Sequence, residues 1–203
     1  MRSEKEMLEM ILGFAKNDER IRAVTLEGSR TNQNVPKDLF QDFDISYLVT
    51  DIDYWVKRPS VAFFADYCNE FWWVSTYVAK GLWRREILYA QDHLNRYVRP
   101  MLLTMLEWKV GIQTDFSISV GKNSKYLEKY LSEQCWESLL PTYSDGSYED
   151  TWKALFTMGE LFRSTAKYVA DHLHYTYPQD DDQRVTAFLK HVQTLPLDAT
   201  KIY

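Results

Sequence analysis

Ile21-Arg22-Ala23-Val24-Thr25-Leu26-Glu27-Gly28-Ser29-Arg30 is followed, with twelve residues between Ser29 and Asp42, by Asp42-Phe43-Asp44-Ile45-Ser46-Tyr47-Leu48-Val49. The first stretch is a short apolar run that leads into a small-residue turn. In the second, Phe43, Ile45, Tyr47 and Val49 alternate with Asp44, Ser46 and Leu48, the pattern of a half-buried strand. Side chains two apart on a strand share a face, so Asp42 and Asp44 point the same way. Backbone N–H groups at a turn such as Gly28-Ser29 can hold the β- and γ-phosphates of a nucleotide, and Arg30 can add a charge-assisted contact. Two carboxylates beside such a turn suit Mg²⁺ bridged to a nucleoside triphosphate. The combination points to nucleotidyl transfer, with Asp42 and Asp44 as metal ligands. Either half alone reads as an ordinary turn or a solvated strand face; it is their order, with strands on both sides, that carries the signal.

Outward from this motif, Ser3 and Glu6 form a capping box that starts a helix, which ends near Asn17-Asp18. Residues 31–41 read as a loop. Pro59-Ser60 starts a helix dense in apolar and aromatic side chains from Val61 to Lys80. Further helix is expected from Trp83 to Leu106, interrupted near Arg99-Pro100, where proline removes a donor. Lys122 to Leu131, Glu149 to Tyr175 and Asp180 to Val192 also read as helices, and Asp180-Asp181-Asp182 as a solvated charge cluster at a helix start. The fold class expected is α+β, mostly helical, with a small sheet packed against a C-terminal helical domain. The domain boundaries expected are 1–52 and 53–203.

Composition narrows the function. The chain has 203 residues, 15% of them aromatic, and a formal net charge of −5. Acidity argues against a nucleic-acid backbone as partner and is compatible with a small cationic substrate. Cys68 and Cys135 lie far apart without metal-type spacing, and His93, His172, His174 and His191 show no ligand clustering. No apolar run approaches the ~18 residues needed to span a bilayer, and Met1 to Glu6 lacks an apolar signal core, so a cytoplasmic protein without a membrane partner is expected. On the Val61–Lys80 helix, Glu70, Trp73, Tyr77 and Lys80 share a face. Glu70 and Trp73 there suit a guanidinium-bearing ligand, while Lys80 suits a phosphate; core packing and a Glu70 ion pair with Lys80 or Arg84 are the plainer alternatives.

Several stretches carry a family resemblance. Gly28-Ser29, the twelve-residue gap and Asp42-Phe43-Asp44 match the signature of the nucleotidyltransferase superfamily. Asp18-Glu-Arg-Ile-Arg-Ala23, Gly28-Ser-Arg-Thr-Asn32, Asn34-Val-Pro-Lys-Asp38, Asp53-Tyr-Trp-Val-Lys-Arg-Pro-Ser60 and the stretch from Cys68 to Trp83 resemble aminoglycoside 6-adenylyltransferases over almost the whole chain. The resemblance implies AMP transfer from ATP to a streptomycin hydroxyl with Mg²⁺, hence antibiotic resistance. It implies a nucleotidyltransferase sheet, a helical domain and an aminoglycoside bound between them.

One departure stands beside the match. In the family, the segment matching Tyr47 to Asp51 leads into further strands, one of which carries a third acidic residue. Here Thr50-Asp51-Ile52 runs directly into Asp53-Tyr54-Trp55, which resembles the start of the helical half. Asp51, Asp53 and Asp115 are the nearest substitutes in sequence, and structural roles are expected for all three. Three functions are therefore in play: an aminoglycoside adenylyltransferase, a non-catalytic aminoglycoside-binding or dimerising remnant, and a minimal nucleotidyltransferase that modifies a protein or RNA. A homodimer that completes the site is left open.

Overall fold

The computed structural model describes residues 3–19, 21–31, 34, 43–49 and 56–202, and of Ser29 the backbone alone. It divides into two compact units, Met1–Asp53 and Tyr54–Tyr203. In the first unit, α1 spans Glu4–Lys16. Its capping box forms as the sequence requires: the Ser3 hydroxyl accepts from the Glu6 amide at 3.3 Å, and the Glu6 carboxylate accepts from the Ser3 amide at 2.6 Å.

β1 (Ile21–Glu27) and β2 (Asp44–Val49) pair antiparallel, with Glu27 opposite Asp44, Val24 opposite Tyr47 and an irregularity between Ile21 and Ala23. Alternation puts Val24 and Leu26 on one face of β1 with Ile45 and Tyr47 of β2. α1 packs there: the Phe14 and Tyr47 rings meet edge-on at 5.4 Å, and the Tyr47 hydroxyl donates to the Ile11 carbonyl at 3.3 Å. Ile11 is nevertheless the only buried hydrophobic side chain among the described residues of this unit.

The second unit is helical and carries a continuous core. α2 (Val61–Trp83) starts at Ser60, whose hydroxyl accepts from the Phe63 amide at 3.1 Å. α6 (Tyr148–Leu173) starts at Ser147 in the same way and ends where His174 turns left-handed, at φ 61°. These two helices pack through Phe71 and Phe162, whose rings stack at 3.7 Å and 4°; Trp72 stands edge-on to both. α7 (Gln179–Thr194) lies against α2.

Three expectations about this unit need correcting. The helix expected over 83–106 breaks at Arg84–Glu86, where Arg85 has φ 63°, and not at Pro100. α3 (Ile87–His93) runs through a π turn at Leu94–Val98 into α4 (Arg99–Gln113). The wide turn bonds the Arg99 amide to the Leu94 carbonyl five residues back, which re-spaces the ladder before the proline arrives. Residues 122–131 form two single 3₁₀ turns, Lys122–Ser124 and Leu127–Lys129, instead of one helix. Gly121, Asn123 and Ser124 all take positive φ there, which no right-handed helix tolerates.

Asp182 is not part of a solvated cluster either. It is 1% exposed and accepts from Arg163 Nε and Nη2 at 2.6 Å each, from the Tyr177 hydroxyl at 2.9 Å and from Thr186 at 3.0 Å. Tyr177 in turn accepts from Trp72 Nε1 at 3.2 Å, so one network ties α2, α6 and α7. A bidentate guanidinium with the remaining lone pairs filled is the arrangement that makes a buried carboxylate tolerable. A short helix, α5 (Glu133–Leu139), precedes the loop into α6.

Candidate functional site

Gly28 leaves β1 at φ +73°, a conformation that L side chains rarely adopt, and opens a single 3₁₀ turn, Gly28–Thr31. A Cβ at this position would lie 2.0 Å from Asp44 Oδ2. The Asp44 carboxylate thus rests directly on the glycine, and the turn and the acidic strand are fitted to each other. The Thr31 hydroxyl donates back to the Gly28 carbonyl at 2.9 Å and closes the turn.

Arg30 stands at the end of the turn, with its guanidinium 3.9 Å from the centre of the Phe43 ring and 3.5 Å from a Glu4 carboxylate oxygen. Both contacts orient it, and a phosphate would have to share it with Glu4. Asp42 lies outside the described residues, as does the Ser29 side chain. The candidate substitutes Asp51 and Asp53 fall outside them too.

Sequence reasoning missed Glu27. The register places it opposite Asp44, so the two carboxylates project from the same face at the turn end of the sheet. Like charges facing each other are unfavourable unless bridged. Ser46 and Thr25 hydrogen bonds hold Glu27 below the usual carboxylate range, Thr25 donating at 3.0 Å. The signal was available only through pairing, since nothing in the linear sequence relates residue 27 to residue 44. Asp44 and Glu27 are the described carboxylates here that could hold a divalent cation with oxygen ligands. Among the described residues no group of three or more His, Cys, Asp or Glu forms a metal cluster.

In the helical unit, the α2 face is arranged as its spacing predicts. Trp73 is 53% exposed, its ring is 5.9 Å from Tyr77, and the Lys80 ammonium sits 4.4 Å above the Tyr77 ring. His93 extends the row, with ring centres 5.9 Å from Tyr77, 4.0 Å from Tyr89 and 5.3 Å from Tyr97. Glu70 is half-buried and makes no ion pair among the described residues, so the alternative of a pairing with Lys80 or Arg84 is not what forms. Trp72, by contrast, is 2% exposed and belongs to the core. Lys80 borders an apolar pocket formed with Trp83, Phe188, Val192 and Ile202. Asp115 sits in a tight turn after α4, with φ 49°, and next to it the Phe116 ring covers Gly111 so closely that a Cβ there would clash at 2.5 Å.

A second acidic position, Glu107 on α4, was not anticipated. Burial raises its carboxyl above the usual range, while a 2.5 Å hydrogen bond from the Ser124 hydroxyl partly opposes the shift.

Comparison with known proteins identifies the family. The sequence profile of streptomycin adenylyltransferase matches residues 1–53 and 50–192. The chain belongs to the streptomycin adenylyltransferase family. The aminoglycoside 6-adenylyltransferase of Bacillus subtilis (strain 168) is 39% identical, over 93% of this chain and 97% of the relative. That of Campylobacter jejuni is 35% identical over 90% and 93%, and that of Staphylococcus aureus 30% identical over 88% and 94%. The crystal structure of an aminoglycoside 6-adenyltransferase from Bacillus subtilis superposes with a TM-score of 0.64 at 36% identity, covering 96% of this chain and 100% of that one.

The first of these alignments runs to 276 positions although the chain has 203 residues, so the relative carries internal sequence without a counterpart here. The two family segments meet at residues 50–53, where the reading of the sequence places the departure. Among the described residues, no helix is long and apolar enough to cross a membrane.

Proposed function

We propose that the chain transfers AMP from ATP to a hydroxyl of an aminoglycoside of the streptomycin class, and so confers resistance to it. The contact between Gly28 and Asp44 carries this reading. A family signature that survived only as a relic would have no reason to keep a left-handed glycine beneath the very carboxylate that the chemistry needs. Residues 1–52 are the nucleotide-handling part and 53–203 the part that binds the antibiotic.

In this reading the backbone amides of the Gly28-Ser29 turn and the Ser29 hydroxyl hold the β- and γ-phosphates, and Arg30 contributes charge. Lys80 is the phosphate contact assigned to the helical unit. Asp42 and Asp44 are the Mg²⁺ ligands of this reading, and Glu27, opposite Asp44, adds a carboxylate of the same oxygen chemistry; when bound, the ion neutralises charge on the α-phosphate and the departing pyrophosphate. Glu70 takes a guanidinium or ammonium group of the antibiotic, with Trp73 offering its exposed ring face. The carboxylates thus orient one substrate, and the aromatic face orients the other. Cys68 and Cys135 are buried free thiols, and burial pushes Cys68 up to about 12. Unbridged, inert cysteines suit the reducing cytoplasm, where ATP is at hand.

The internal sequence absent from this chain favours a second reading, a helical aminoglycoside-binding protein that has lost transfer. One assay separates the two. The chain is incubated with Mg·ATP and streptomycin, and the antibiotic is weighed by mass spectrometry. An added AMP, lost in Asp44→Ala, supports transfer. Streptomycin binding by calorimetry with no AMP gain supports the second reading.

A further inference from the structure

Beside the N-terminal end of α2 lies a cleft of about 380 Å³ whose lining includes neither Glu70 nor Trp73. Glu107, Trp108 and Phe63 line it, with Lys57 and Arg58. That volume is in the range of small-molecule sites, which typically combine aromatic walls with a few placed polar groups. The walls are built as a unit: the Phe63 ring lies 4.7 Å from Tyr67 and 6.0 Å from Trp108, and Tyr67 lies 5.0 Å from Trp108. Phe63 is 49% exposed although it belongs to this aromatic group, and so offers a free face.

Glu107 is the acidic group of the cleft, and no cation pairs with it among the described residues. Its one recorded hydrogen bond comes from Ser124. Ser124 and its neighbour Asn123 are both left-handed, at φ 56° and 57°. Two successive non-glycine residues in that region cost conformational energy, and such cost concentrates where a side chain must be held in place. The strained turn delivers one hydroxyl to one carboxylate oxygen and leaves the rest of the carboxyl's acceptor capacity to the cleft.

We infer that the Glu107 cleft is a second cation subsite for the aminoglycoside, in which Glu107 takes a guanidinium or ammonium group and the Phe63–Trp108 wall packs against it. Phe63 and Glu70 are seven residues apart on α2, about 10 Å along the axis, so Glu107 and Glu70 grip separate cationic groups of one polycationic molecule. Burial raises the Glu107 carboxyl, and a cation seated beside it would favour the ionised form. Lys57 and Arg58 are exposed and oppose a cation at the rim, which makes them a diagnostic.

The inference rests on the aminoglycoside reading above. Its test is calorimetric titration of the full chain with streptomycin, and separately with Mg·ATP, for the parent, Glu107→Gln and Arg58→Ala. Glu107→Gln keeps the shape and the acceptor for Ser124. It is expected to weaken streptomycin at least tenfold, to leave Mg·ATP binding unchanged and to melt with the parent. Arg58→Ala is expected to bind streptomycin as tightly as the parent or more tightly. If the parent binds streptomycin and Glu107→Gln binds it equally well, the subsite is wrong while the proposed function stands. Weaker binding by Arg58→Ala, with Glu107→Gln unchanged, makes the cleft an anion site and also overturns the inference. A parent that binds no aminoglycoside overturns the function and the subsite together. If Glu107→Gln melts early, Ser124→Ala replaces it, with a smaller loss of streptomycin affinity expected and none expected for Mg·ATP.

Discussion

The two units of this chain are built on opposite principles. Residues 1–53 carry the most specific chemical signature on the least core: Ile11 is the only buried hydrophobic side chain described there, and two strands rest under one helix. Two-stranded sheets are marginal alone. Residues 54–203 hold a continuous apolar cluster from Val56 to Val192 and a bidentate ion pair whose carboxylate, Asp182, is buried. Specificity of sequence and density of packing are therefore separable: a short motif can identify a family while another part of the chain supplies the stability. On the function proposed above, the first unit handles nucleotide, and the second both carries the core and binds the antibiotic.

The comparison breaks most visibly at the Phe71–Phe162 stack. Phe162→Ala deletes a ring at 3.7 Å from its partner and is expected to cost about 3–5 kcal/mol of helical-unit stability by chemical denaturation. A loss under 1 kcal/mol would mean that this core is not where the stability lies. Gly28→Ala probes the other unit. Both the positive φ and the 2.0 Å approach to Asp44 forbid the methyl, so the carboxylate must move, and misplacement on this scale costs about a hundredfold in transfer rate. The helical unit's unfolding transition should not shift.

Acid sharpens the contrast further, by a smaller effect. Burial opposes ionisation of Asp182, but the Arg163, Tyr177 and Thr186 bonds outweigh it and hold the carboxyl below its usual range. A depressed folded-state pKa contributes stability that is fully present above the unfolded value of about 3.9 and is lost as pH falls through the folded one. The melting temperature of the helical unit should therefore drop below about pH 4, and Asp182→Asn should remove that component of the acid slope while lowering stability at neutral pH.

Much of the fold was legible because its signals are local. Ser3 and Ser60 cap helices through bonds within three residues, and the β2 alternation is read from adjacent positions. What escaped depends on chain-distant partners. Asp182 looks like one of three solvated acids until Arg163, nineteen residues earlier, is placed against it. Pro100 looks like a helix end until the π turn before it absorbs the missing donor. The site divides along the same line: Gly28 and Asp44 were readable as a motif, and the Trp73–Tyr77–Lys80 face as a helical spacing. Glu27 and Glu107 emerged only through strand register and the packing of a distant turn.

Amide hydrogen exchange, measured with no ligand, with Mg·ATP and with streptomycin, tests the division of labour most directly. Without ligand, β1 and β2 should exchange far faster than α2, α4 and α6, since local opening follows burial. Mg·ATP should slow exchange chiefly in β1 and the Gly28 turn, and streptomycin chiefly in α2 and α4. Strands as protected as α6 in the free chain, or streptomycin protection confined to residues 1–53, would contradict the account.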